Sequence, residues 1–249
     1  MARDRHQPRA AEAARRLDAI TRRPRWGAPG SRVTAGWDAA RQRAVVRDFH
    51  AWFYDRAATT WQATTWLGVP TQQCPLDLWR LQELVTTVRP DLILETGTLH
   101  GGTALFLATV CEALRHGRVV SVDATVIPTR AQHPRIQYLT GDSVAPATLA
   151  AVRREVLVGE TVLVLLDSDH TAAHVLAELR AYAPLVTVGS YCVVEDTNLG
   201  GRPVWPTFGP GPAAAVAQWL AETPGWVVDR TCERFGVTFH PGGWLRREA

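Results

Sequence analysis

Between residues 92 and 102 the chain reads LILETGTLHGG: Leu92, Ile93 and Leu94 run into Glu95 and then into Gly97, Gly101 and Gly102. The pattern is E-x-G-x-x-x-G-G. A dinucleotide-binding turn would read G-x-G-x-x-G, and a phosphate loop would carry Lys and Ser or Thr after its second glycine; this stretch does neither. An acid at a strand end, Gly97 for backbone approach and Gly101 for close helix packing suit a cationic ligand that carries a ribose. S-adenosylmethionine, with its sulfonium and ammonium groups, is such a ligand. Two further acids share the placement. Asp123 ends RVVSVDA, where one carboxylate can accept both ribose hydroxyls, and Asp142, in the GDS of 141–143, ends IQYLTGD, where an acid can hold an adenine amino group. Thr98, in the turn after Glu95, and Ser143, beside Asp142, are counted with the cofactor contacts. A sharp corner explains one such strand end but not three.

A second constellation joins LLDSDH (165–170) to VVED (193–196). Asp167 ends one strand and Glu195–Asp196 the next; neighbouring strands lie about 4.8 Å apart, so these carboxylates converge on one rim. Like charges that close repel unless a cation sits among them, and oxygen ligands favour Mg²⁺ or a similar hard ion. Asp167, Glu195 and Asp196 are therefore the expected metal ligands, with Asp167 also at the cofactor and in the catalytic set. His170, three residues beyond Asp167, faces the same rim and can take a proton from an acidified hydroxyl. Helix capping is the bland alternative, since Asp169 and Thr171 can cap a helix that starts at 171. His174 lies one turn on, and His170, His174 and an Asp could imitate an iron-oxygenase triad, but that leaves Glu195 and Asp196 unemployed.

These residues need a frame. From residue 91 strands and helices alternate, the mark of a mostly parallel sheet covered on both faces. Expected strands are 92–96, 118–124, 136–142, 161–167 and 190–196, with the first three side by side and the last two adjacent; GWVVDR and GVTFHPGGWLRR add two more, giving a seven-stranded sheet. Between 197 and 210 a Gly/Pro-rich loop with Trp205 and Phe208 has the composition of a lid. Residues 1 to about 85 read as mainly helical, carry six tryptophans and include a linker at 27–32, GAPGSR. Residues 1–60 are set apart as a helical, partly disordered Arg-rich extension and 61–249 as the main domain.

Bulk properties exclude several classes. A net charge of +3 is too small to make nucleic acid the main partner, and the excess sits in the first 47 residues, which hold a dozen arginines. All 27 basic residues are Arg, a composition habit rather than a binding signal. No run is long and apolar enough for a membrane span, and the start lacks the apolar core of a signal peptide, so a cytoplasmic protein is expected. Cys74, Cys111, Cys192 and Cys232 form no CxxC pair, and Cys111 and Cys192 fall in apolar, core-like runs.

LETGTLHGGTALFLA, LDSDH and VVEDTNLGG…FGPGP resemble the cephalosporin hydroxylase-like family of class I S-adenosylmethionine-dependent methyltransferases, close to the macrolide-sugar and rhamnosyl O-methyltransferases. The likeness runs from about Trp61 to the C-terminus. It implies a Rossmann-like α/β fold, metal at Asp167, Glu195 and Asp196, His170 as base, and cofactor contacts at Glu95, Gly97, Asp123 and Asp142. Catechol-type enzymes share the metal logic but end the fifth strand in Asp–Asn; the Glu–Asp here favours the sugar and antibiotic-tailoring branch. The expected activity is Mg²⁺-dependent transfer of a methyl group to a hydroxyl of a glycoside or antibiotic precursor, by a homo-oligomer. Its rivals are a hydroxylase or accessory subunit of one, and a cofactor-binding subunit without catalysis.

Overall fold

The structure, a computed structural model, describes residues 38–249. The linker at 27–32 and most of the arginine cluster lie outside them. The chain divides after Val45 into two units, and the second, Val46–Ala249, carries the sheet and the site. Helix α1 spans Ala39–Asp55. Two short 3-10 turns and a hairpin follow, β1 (Thr65–Trp66) and β2 (Val69–Pro70). The hairpin is an addition to the mainly helical reading of this stretch. Leu67 and Gly68 turn it with φ of 49° and 84°, and a leucine in the first of two left-handed positions gives no turn signal in sequence.

The frame then alternates: α2 (Pro75–Val88), β3 (Leu92–Thr96), α3 (Gly102–Leu114), β4 (Arg118–Asp123), β5 (Ile136–Thr140), α4 (Pro146–Glu155), β6 (Val162–Leu166), α5 (Ala172–Tyr182), β7 (Tyr191–Val194), α6 (Pro212–Glu222), β8 (Trp226–Val228) and β9 (Trp244–Arg247). The seven strands lie in the order β5-β4-β3-β6-β7-β9-β8. The first five are parallel and β9 runs antiparallel to both neighbours. The central strands β3, β6 and β7 are buried at every position because both faces are covered. Leu92, Leu94, Val164 and Val194 pack with Val175, Leu179 and Trp219 on one face; Ile93, Leu163 and Val193 pack with Leu81, Leu107 and Trp244 on the other. The sequence turns back between β3 and β6, which opens a crevice at their carboxyl ends.

The last expected strand, 236–247, forms only over Trp244–Arg247. Ahead of it the backbone bonds elsewhere: Phe239 N–H donates to Asp77 Oδ2 at 2.7 Å and His240 N–H to Thr238 Oγ1 at 3.0 Å. Those buried residues serve the site instead of the sheet.

Candidate active site

A cleft of about 750 Å³ opens over the carboxyl ends of β3 to β7. Gly97, Thr98, Asp123, Asp142, Ser143, Asp167, His170 and Asp196 line it, as do His174 and Trp205. Glu95, Gly101 and Glu195 do not. Five strands thus deliver their terminal side chains to one place, as a parallel sheet with a switch point requires.

The turn after β3 explains its glycines. A Cβ on Gly97 would lie 1.9 Å from the backbone oxygen of Asp167, so this glycine lets the ends of β3 and β6 meet. Gly101 sits at φ 80° ahead of α3, facing the Tyr138 hydroxyl and Arg130. Close helix packing belongs to Gly102, whose Cβ would stand 2.2 Å from the oxygen of Pro70. Asp123 holds the loop in shape: Oδ2 accepts the N–H of Leu99 and Oδ1 that of Thr125, both at 2.7 Å. Asp142 accepts the N–H of Val144 at 3.0 Å. Glu95, expected against the cofactor's cation, is buried beneath the turn, where Ser121 donates to it and Thr98 meets Ser121 at 2.5 Å. Burial pushes its carboxyl up to about 8, against the Ser121 bond and the Arg130 charge.

At the other end Asp167, His170 and Asp196 present ligand atoms all within 4.8 Å of one another. His170 Nε2 lies 3.3 Å from Asp196 Oδ2. Glu195 is not in that closest cluster. It is tied to Asp167 through Gln73, whose Nε2 donates to Glu195 Oε2 and, at 3.2 Å, to Asp167 Oδ2. Burial comes first in raising Asp167 well above the usual carboxylate range, with the charges of Glu195 and Asp196 adding to it. Burial likewise raises Glu195, and Asp196 against the opposing His170. The Oε1 atom of Glu195 is buried without a hydrogen-bond partner among the described residues. Buried acids in mutual repulsion, one with an orphaned oxygen, fit a hard divalent cation. His174 turns away: its Nε2 meets Ser143 Oγ at 3.0 Å and Glu178 at 3.6 Å, so no His170–His174 pair forms. Asp169 accepts the N–H of Thr171 at 2.7 Å, which caps α5.

Sequence reasoning missed the residues beneath. His240, fully buried, accepts the N–H of Asp196 on Nδ1 at 3.2 Å. Its Nε2 faces Asp77 Oδ2 at 3.7 Å and Glu195 Oε2 at 3.8 Å. Burial holds this imidazole neutral, down to about 3, and pushes the Asp77 carboxyl up to about 7. Asp196 itself takes a left-handed φ of 53°. Only Asp77, set between Leu76 and Leu78 within α2, could have hinted at this support; Gln73 and His240 lie in stretches with no apolar pattern to break.

Residues 58–248 match the family described as Rhamnosyl O-methyltransferase/CmcI. A rhamnosyl O-methyltransferase of Mycobacterium leprae (strain TN) is 37% identical over 213 residues, covering 82% of this chain and 91% of that protein. One of Mycobacterium tuberculosis (strain ATCC 25618 / H37Rv) is 34% identical, with 82% and 85% covered. Among solved structures, a CmcI structure with Mg and SAM superposes with a TM-score of 0.59 at 18% identity, covering 92% of this chain and 88% of that one. That similarity concerns the fold.

Proposed function

Since the chain belongs to the rhamnosyl O-methyltransferase/CmcI family, we propose that it moves a methyl group from S-adenosylmethionine to a hydroxyl of a glycoside or antibiotic-type small molecule, with Mg²⁺ bound at the strand-end acids. One observation carries the reading: a single cleft holds Asp123 and Asp142 at the ends of β4 and β5 and Asp167 and Asp196 at the ends of β6 and β7. The relatives' names support the reaction and the kind of acceptor. Residues 61–249 are taken as the methyltransferase domain.

Gly97, Thr98, Asp123, Asp142 and Ser143 would hold the cofactor. Asp123 Oδ2 is taken by the Leu99 N–H and faced by the Arg130 guanidinium at 3.4 Å, which leaves a lone pair on Oδ1 for a ribose hydroxyl, and Glu95 acts from below through Ser121 on Thr98. Asp167, Glu195 and Asp196 would hold the cation, with Gln73 setting the first two. A bound divalent cation supplies Lewis acidity, which lowers the pKa of an acceptor hydroxyl. His170, partly exposed at the rim, accepts the hydroxyl proton. The oxygen then bonds to the methyl carbon as the carbon–sulfur bond breaks, leaving S-adenosylhomocysteine and a protonated His170. Alignment of the two substrates in one cleft provides much of the rate. Trp205 and Phe208, in edge contact at 5.3 Å, sit on the loop after β7, where closure would exclude water.

Mass spectrometry of candidate glycosides incubated with protein, Mg²⁺ and methyl-labelled S-adenosylmethionine tests the reading. A product heavier by one labelled methyl supports it. Cofactor binding with no transfer to any hydroxylated acceptor would favour a non-catalytic subunit.

A further inference from the structure

The cleft does not end at the acids. Its outer wall is aromatic: Tyr54, from the last turn of α1, and Trp61, from the turn that follows, line it together with Trp205. The Tyr54 and Trp61 rings stack at 5.2 Å with 25° between planes. Trp61 Nε1 donates to the Tyr54 carbonyl at 3.0 Å, so the indole spends its donor within the wall and leaves an apolar surface. Phe239 braces both rings from the side, edge-on at 5.5 Å and 5.9 Å. Phe239 is in turn tied through its N–H to Asp77, the residue that faces His240 beneath the acids. The platform and the metal-side network are therefore one construction.

Two features separate this wall from ordinary core. Both rings stay half-exposed beside the cleft while Phe239 below them is buried. The Tyr54 hydroxyl has no hydrogen-bond partner among the described residues, yet it is near enough to feel the charge of Asp196, which adds to the burial that pushes it up to about 12. A stacked apolar surface next to a free phenolic donor, beside clustered acids, matches one ligand shape. That shape is a saturated ring with an apolar C–H face and oxygens on adjacent carbons. Tyr54 also lies ahead of the family match, which begins at 58, so this contact belongs to the part of the chain that the family pattern does not cover.

We propose that Tyr54 and Trp61 form the acceptor subsite, with the apolar face of a pyranoside lying on the stacked rings, the Tyr54 hydroxyl bonding an oxygen next to the reacting one, and Trp205 covering the opposite side. This rests on the methyltransferase reading. It adds residues that select the acceptor without touching the transferred methyl, and their loss belongs in KM for the acceptor rather than in cofactor affinity.

The test uses the full chain with Mg²⁺, S-adenosylhomocysteine and methyl α-L-rhamnopyranoside, followed by saturation-transfer NMR and calorimetry. Wild-type protein should transfer saturation to the ring C–H protons. Trp61→Ala should weaken glycoside binding by about tenfold, the scale of a lost aromatic contact, with S-adenosylhomocysteine affinity unchanged as proof of a folded site. Tyr54→Phe keeps the ring and should lose a smaller part, about threefold to tenfold, from the hydroxyl alone. Glycoside affinity equal to wild type in both variants overturns the subsite while leaving the methyltransferase reading intact. Wild-type protein that binds S-adenosylhomocysteine and methylates a planar diol such as catechol, yet binds no glycoside, overturns the subsite as well. Failure to bind S-adenosylhomocysteine at all would instead overturn the methyltransferase reading beneath it.

Discussion

The backbone N–H of Asp196 donates to Nδ1 of His240 at 3.2 Å, which places the proton of this neutral, fully buried imidazole on Nε2, toward Asp77 and Glu195. One ring therefore fixes the left-handed turn that aims Asp196 and faces the acid that precedes it. Partners of this kind typically set metal affinity by 10–100-fold. His240→Leu should weaken Mn²⁺ binding, read by electron paramagnetic resonance, by about tenfold or more, with S-adenosylhomocysteine affinity retained. His240→Asn, which keeps an acceptor near Nδ1, should recover part of the loss. Unchanged Mn²⁺ affinity in the leucine variant would reduce His240 to a packing residue.

The cofactor side is tested at Asp123. Asp123→Ala should weaken S-adenosylmethionine binding at least tenfold, about 1.4 kcal/mol, because charge-assisted bonds to the ribose vanish and the turn held through Leu99 and Thr125 loosens. Asp123→Asn, still able to accept an N–H, should lose less. Equal affinity for all three proteins by calorimetry would remove the ribose role.

Fold and site were unequally legible in the sequence. The parallel core could be read because Leu92–Leu94, Val119–Val120 and Val162–Leu166 are buried on both faces, which writes strands as unbroken apolar runs. Asp167 could be placed because it directly ends such a run, and Asp123 because it closes the strand Arg118–Asp123. Glu195 and Gln73 could not be linked in advance, since their bond spans 122 positions and no local pattern encodes it. His240 looked like part of a strand, whereas the N–H of Phe239 turns to Asp77 and that of His240 itself to Thr238. Glu95 had the right residue type at the right strand end, but Ser121 lies across the same end of the sheet and takes it.

Buried titratable groups give the metal-free protein a defined stability profile. Asp77, pushed up to about 7, and Glu95, up to about 8, bind more protons folded than unfolded above the ordinary carboxylate range. Their contribution is therefore lost as pH rises through those values. His50 and His240, held down to about 4 and about 3, act in the opposite sense, but only below the ordinary imidazole value of 6.5. Between pH 6.5 and 8 the raised groups act in one direction: Asp77, Glu95 and the buried site acids, joined by His174, which its bond to Glu178 raises. The melting temperature should fall there by about 3–5 °C per pH unit for each proton released. Mg²⁺, by favouring the ionised acids at Asp167 and Glu195, should flatten the slope. A melting temperature that rises across this window would contradict the assignment.

His170 is positioned to act as base or as ligand, since it shares a 4.8 Å cluster with Asp167 and Asp196. As base, its replacement by Ala should cut kcat by about 10²–10⁴-fold while leaving cofactor and acceptor affinities near wild type. Loss of Mn²⁺ affinity with turnover kept at saturating Mg²⁺ would make it a ligand instead.

The claim at the centre is that Asp167, Glu195 and Asp196 hold a divalent cation without which the methyl group does not move. Its most direct measurement is the rate of labelled-methyl transfer to a glycoside in excess chelator, after Mg²⁺ is restored, and in Glu195→Gln. Transfer should stop in chelator, return with Mg²⁺ and stay low in the variant, while calorimetry shows S-adenosylhomocysteine bound in every sample. Full transfer in excess chelator would contradict the claim and leave these acids as strand ends and caps.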